Sequence, residues 1–204
     1  MKRREFIKST AFSGVALMNN WVSLFAKGTQ EAQVGNIWEG WKKGQFQVHF
    51  IYTGVGESLF FIFPDGTSML LDCGDTNGGG EGNAVPILPN NKRRAGEWIA
   101  RYVQRVNPGG KDVDYMMLSH YHTDHGGSNA ANAGSIKFGN EELVLSGFSQ
   151  AAQFLNFHKA IDRCWPDYND PIPLINKSAN NVTHMKRFYS YMQKEKGLEI
   201  EKFE

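Results

Sequence analysis

Six consecutive residues, His120-Tyr121-His122-Thr123-Asp124-His125, bring together three imidazoles and one carboxylate, and Gly126-Gly127 follow. Imidazole nitrogen with a few carboxylate oxygens is the donor set that zinc prefers, and a short loop carrying His, His, Asp and His can hold one or two such ions. Packing alone does not explain the cluster, because a strand or helix facing a core calls for apolar side chains at regular intervals. His120, His122, Asp124 and His125 are therefore the expected metal ligands, with Zn2+ as the expected ion.

The elements that must hold this loop can be read outward from it. Val113 to Ser119 is a short apolar run of strand length, so the ligands follow the end of a buried strand. Upstream, Gln45–Tyr52, Ser58–Phe63 and Ser68–Asp72 read as strands. The last two are joined into a hairpin by Pro64-Asp65-Gly66-Thr67, which has turn residues where turn geometry needs them. Residues 73–91 are rich in Gly and Asn and read as a long loop. Arg93–Val106 reads as a helix with Trp98, Ile99, Tyr102, Val103 and Val106 on one stripe, stopped by Asn107-Pro108-Gly109-Gly110. Arg93 and Arg94 at its start are expected on a solvated face. Beyond the loop the pattern predicts a strand near Leu143–Leu145, a helix over Gln150–Cys164, a helix over Val182–Lys196 and a final strand from Leu198.

The N-terminus carries Lys2, Arg3, Arg4 and Lys8 ahead of a moderately apolar stretch from Ala11 to Phe25, which is too short and too polar to span a membrane. Arg3-Arg4-Glu5-Phe6-Ile7-Lys8 resembles the twin-arginine export signal. The expected organisation is a signal peptide over 1–26, a lead-in over 27–45 and one domain over 46–204. Export to the periplasm is expected with it. Lys and Arg number 22 against 21 Asp and Glu, so no basic patch points to a nucleic acid. Cys73 and Cys164 are far apart and form no paired-cysteine motif; two buried thiols are expected.

The metal loop, preceded by a hairpin ending in Leu71-Asp72-Cys73-Gly74, resembles the metallo-β-lactamase-fold hydrolases. The loop Gly54-Val55-Gly56-Glu57-Ser58 is similar to the glycine-rich loop in the hydrolase domain of bacterial DNA-uptake channel proteins, where Gln and Asp usually stand in place of Val55 and Glu57. The resemblance spans about residues 46–146. It implies an α/β fold, the four-layer αββα sandwich, present here mainly as its N-terminal half. His120 and His122 would bind a first metal, and Asp124 and His125 a second. Asp124 would also orient the attacking hydroxide, which makes it the expected catalytic residue. Asp72 would fix a ligand imidazole from behind, and Glu57 and Ser58 would border the substrate pocket. His122 stands where the oxygen-reducing di-iron branch has Glu, which favours hydrolysis. The implied activity is a zinc-dependent hydrolase acting on a phosphoester, with a β-lactam or lactone as the alternative and a non-catalytic metal-binding fragment as a third reading.

The family draws further ligands from its second half, and after His125 only His158 and His184 remain. His184 is the candidate third ligand, and His158 is expected on a packed helix stripe. No strand-ending Gly-Asp follows residue 146, so the expectation is a chain truncated at its C-terminus, with 150–197 a helical insertion.

Overall fold

The computed structural model describes residues 37–76, 85–129, 132–169, 173 and 175–203. The expected signal peptide lies outside them. The chain divides into two units, Met1–Glu39 and Gly40–Glu204. Of the first, residues 37–39 have no regular secondary structure. The second holds everything that follows.

Its elements are β1 (Gln47–Phe50), β2 (Leu59–Ile62), β3 (Ser68–Leu71), α1 (Ala95–Val106), β4 (Asp112–Met117), α2 (Thr123–Gly126), β5 (Ser135–Phe138), β6 (Glu141–Val144), α3 (Phe148–Ala151), β7 (Asn156–Asp162), α4 (Ile175–Lys196) and β8 (Glu199–Lys202). Six strands form one mixed sheet in the order β1-β2-β3-β4-β7-β8, and β5 and β6 form a separate hairpin. β1, β2 and β3 run antiparallel; β3, β4, β7 and β8 run parallel. This mixed α/β architecture is consistent with the expected sandwich fold.

Alternation along β2 and β3 turns Phe60, Ile62 and Leu70 inward, and they share one core with Met116 of β4, Ile99 and Val103 of α1, and Phe188 and Met192 of α4. Burying each such side chain contributes about 1.5–3 kcal/mol. The buried stripe of α1 is Ala95, Ile99, Val103 and Val106. Trp98 and Tyr102, expected on the same stripe, sit at its margin: Trp98 donates Nε1–H to the Asn90 carbonyl, and Tyr102 meets His49. Asn107 ends the helix and organises the turn into β4, its Nδ2 donating to the Asp112 carbonyl at 2.7 Å.

The opposite face of the sheet is apolar too. Leu59, Phe61, Met69, Leu71, Tyr115, Met117 and Ile161 are half-buried there, and Phe46 and Phe50 beside them are 55% and 79% exposed. An open groove of about 610 Å³ crosses it, lined by Phe63, Pro64, Met69, Tyr115 and Ile161 among others.

Two expectations are corrected. The segment 150–164 is not a helix: after the single turn of α3 it becomes β7, paired with β4 on one side and β8 on the other. A strand inside a parallel sheet lacks clean alternation, and sheet pairing overrides local propensity. The segment 150–197 is thus no helical insertion, since its strand is an interior member of the sheet. His158 moves with it, to an exposed position 3.9 Å from Asp112. The second helix begins earlier than expected, at Ile175 rather than Val182.

Candidate metal centre

Three loops meet at the C-terminal ends of β3 and β4. The backbone N–H of Glu57 donates to the Asp124 carbonyl (2.8 Å), Gly74 N–H to the Glu57 carbonyl (3.0 Å), Cys73 N–H to the His125 carbonyl (2.7 Å) and Asp75 N–H to the Thr123 carbonyl (3.1 Å). The glycine-rich loop, the end of the hairpin and α2 are therefore stitched main chain to main chain. Gly74 permits it: a Cβ there would lie 1.7 Å from the Asp124 carbonyl oxygen. Only a residue without a side chain lets the strands approach so closely.

Asp72 sits just past β3 with φ 59°, a left-handed backbone that Asp tolerates better than most residues. Its buried carboxylate collects three donors. Oδ1 accepts the Ser119 backbone N–H at 2.8 Å; Oδ2 accepts the Ser119 hydroxyl at 2.7 Å and His125 Nδ1–H at 2.7 Å. With its own proton given to Asp72, Ser119 Oγ becomes the acceptor for His120 Nδ1–H at 3.1 Å. This chain of bonds settles both tautomers. The Nε2 atoms of His120 and His125 are then unprotonated, as a metal requires.

The unprotonated nitrogens converge with the other donors. His120 Nε2 is 2.9 Å from His122 Nδ1, and His125 Nε2 is 3.7 Å from Asp124 Oδ2. The His120 ring centroid is 4.5 Å from that of His122 and 3.9 Å from that of His125. Two ligands of a tetrahedral zinc, each about 2.0–2.1 Å from the ion, stand about 3.3 Å apart. Both observed separations are close to that figure, so the residues fit such an ion. Burial, and then the neighbouring His125 and His122, push the His120 pKa down. A neutral imidazole is the ligating form.

Glu57 is the residue whose ligand-like position the sequence does not reveal. Glu57, Asp72 and His125 each offer a donor atom within 4.8 Å of the others. His125 Nδ1 is committed to Asp72, so Glu57, with Oε2 4.0 Å from the same nitrogen and its side chain 67% exposed, stands at the solvent rim of the cluster. Ser58, next to it, is buried. Strand alternation turns it inward, where it is 4% exposed and its hydroxyl has no hydrogen-bond partner among the described residues.

His184 is not brought to the other imidazoles. It lies in the core on α4, 1% exposed, with Nε2 3.5 Å from Ser149 Oγ. Burial pushes its pKa down to about 4, against a smaller opposing contribution from a hydrogen bond with the Ser146 backbone. Arg94, expected in solvent, instead pairs with both carboxylate oxygens of the buried Asp75. Burial lifts the Asp75 pKa to about 6 despite that partner. Cys73 and Cys164 are buried and in no disulfide among the described residues, and burial raises the Cys73 thiol pKa.

Residues 52–139 match the family model of the metallo-beta-lactamase superfamily. The span takes in Glu57, Asp72 and the whole His loop. No curated protein and no solved structure matches the chain.

Proposed function

We propose that this chain is an exported metal-dependent hydrolase, that its ion is zinc held by His120 and His122, with Asp124 and His125 as the donors for a second, and that its substrate is a phosphoester. The observation that carries the reading is the facing pair His120 Nε2 and His122 Nδ1, 2.9 Å apart, beside a His125 whose tautomer Asp72 sets. The superfamily match over the same residues supports hydrolysis. The phosphoester is supported by the glycine-rich loop 54–58, similar to that of DNA-uptake hydrolase domains and bonded directly to the metal loop through Glu57 and Asp124. Export is supported by Arg3-Arg4 ahead of an apolar stretch.

Zinc held by these residues would supply a Lewis acid and a water activated near neutral pH. The protein's part is to hold the donors and manage protons. Asp72 and Ser119 lock two imidazoles. Asp124, whose side chain is 50% exposed, presents a carboxylate to solvent as proton acceptor. Glu57 stands at the mouth, where an entering substrate passes.

The test is metal analysis of the purified chain followed by turnover of bis(p-nitrophenyl) phosphate, a chromogenic lactam and a chromogenic lactone. The expected result is bound zinc and phosphodiester turnover, both lost in His120→Ala. Turnover of the lactam or lactone alone would replace the phosphoester reading. Bound zinc with no turnover of any of them would leave a metal-binding domain.

A further inference from the structure

Tyr121, between the two imidazoles, is the residue of the run whose side chain leaves the site. It points into the core, where it is 7% exposed and its ring meets that of Tyr168 edge-on at 5.8 Å. Its hydroxyl donates to Asp162 Oδ2 at 2.5 Å. Its carbonyl accepts Nδ2–H of Asn181, on α4, at 3.0 Å. Asp162 ends β7, the strand beside β4, and is itself fixed: Oδ1 accepts the backbone N–H groups of Cys164 at 2.8 Å and Trp165 at 2.9 Å. Among the described residues no cationic side chain pairs with it.

A core position beside a strand end needs only an apolar ring. Burying a phenol against a carboxylate costs desolvation that a phenylalanine would avoid, while the bond fixes one hydroxyl to one point on the neighbouring strand. His120 and His122 are the two neighbours of the fixed residue, so the rigid peptide units on either side of Tyr121 carry that constraint to both.

We propose that Tyr121, Asp162 and Asn181 are positioning residues that fix the His120–His122 backbone from behind, so that the two imidazoles hold their facing arrangement before any ion arrives. The inference rests on the reading of the His loop as a metal site. It adds to Asp72 and Ser119, which fix His120 and His125 through their Nδ1 atoms, a tether that also serves His122.

The experiment compares the full chain with Tyr121→Phe in two measurements. Hydrogen exchange of the amides of 119–126 needs no metal, and zinc affinity by chelator competition, with the cobalt(II) visible band as a geometry probe, does. In Tyr121→Phe the loop amides should exchange about tenfold faster while those of α1 stay unchanged, and zinc should bind about tenfold more weakly with an altered cobalt band. Wild-type exchange and wild-type affinity in that variant overturn the proposal. Should Tyr121→Phe fail to fold, Asn181→Ala, at a half-buried position, replaces it: faster exchange with weaker zinc binding supports the tether, and wild-type behaviour in both overturns it. A wild-type chain that binds no zinc defeats the proposed function, and the exchange comparison alone then decides the tether.

Discussion

His125 Nδ1 lies 2.7 Å from Asp72 Oδ2, across 53 residues of sequence, and the same oxygen takes the Ser119 hydroxyl. One carboxylate thus sets the orientation of His125 directly and of His120 through Ser119. Asp72→Asn keeps a residue that tolerates the left-handed backbone but loses the charge and one acceptor. Zinc affinity should fall about 10–100-fold, as for other partners of metal-bound imidazole. Asp72→Ala should bind as weakly and also lose stability, the left-handed conformation alone costing about 1–2 kcal/mol. Chelator competition and urea unfolding measure the two effects, and an Asp72→Asn protein with wild-type affinity would refute the role.

Gly74→Ala tests the stitching of the loops. Its Cβ would overlap the Asp124 carbonyl, which is backbone and cannot rotate away. The expected outcome is a loss of several kcal/mol, of the size seen for overpacked sites and beyond, together with displacement of Asp124 and loss of zinc. A Gly74→Ala protein with unchanged melting temperature and zinc content would show that the approach is looser than described.

Metal removal should be read in the melting curve. A ligand that binds only the folded state stabilises it by about 2.7 kcal/mol at a hundredfold excess over its dissociation constant. Zinc should raise the melting temperature of the wild-type chain, EDTA should reverse the rise, and His122→Ala should show neither. Equal zinc shifts in wild type and His122→Ala would place the ion elsewhere.

His184 makes stability pH-dependent. Its pKa is 6.5 when unfolded and about 4 in the fold. The unfolded chain therefore binds more protons between those values. The stabilisation is complete above pH 6.5 and is lost as pH falls through the window, by about 3 kcal/mol in full. Asp75 opposes it: with a folded pKa raised to about 6, its contribution improves as pH falls from 6 towards 4. His184→Gln should remove the acid-side loss and leave the Asp75 trend. Urea unfolding from pH 4.5 to 7.5 checks this, and an unchanged slope in the variant would sink it.

The exposed apolar sheet face should drive self-association. Phe46, Phe50 and Phe61 lie on one surface, and an apolar area that wide is rarely left in water. The wild-type chain should sediment as concentration-dependent oligomers, and Phe50→Glu should shift it towards monomer. Monodisperse wild type at roughly tens of micromolar, the scale of weak interface affinities, would contradict this.

What can be read from sequence are the features encoded locally. The β2–β3 hairpin is written in its turn, where Phe63 N–H bonds to the Thr67 carbonyl and Gly66 closes with φ 99°. The stripe of α1 and the His loop are likewise contiguous patterns. What stays hidden depends on pairing between distant segments. β7 carries His158 and Lys159 in mid-strand and resembles no strand until β4 and β8 flank it. With β7 read as helix, Asp162 cannot be placed at a strand end, and its bond to Tyr121 is out of reach. Arg94 escapes sequence reading for the same reason: its partner Asp75 is 19 positions away, in a loop whose course only the folded sheet determines.

The stitching of three loops also governs when the site can exist. Ser119 and His125 reach Asp72 across 47 and 53 positions, and β3 and β4 pair in parallel only after α1 has crossed over between them. Loops of that length must close before any of these bonds forms, which makes such topologies slow to fold. Donors that join segments so far apart are expected to assemble after the sheet has gathered. An ion that recognises only the finished arrangement should then leave the folding rate unchanged. It should act on the reverse step, slowing unfolding and lengthening the lifetime of the native chain.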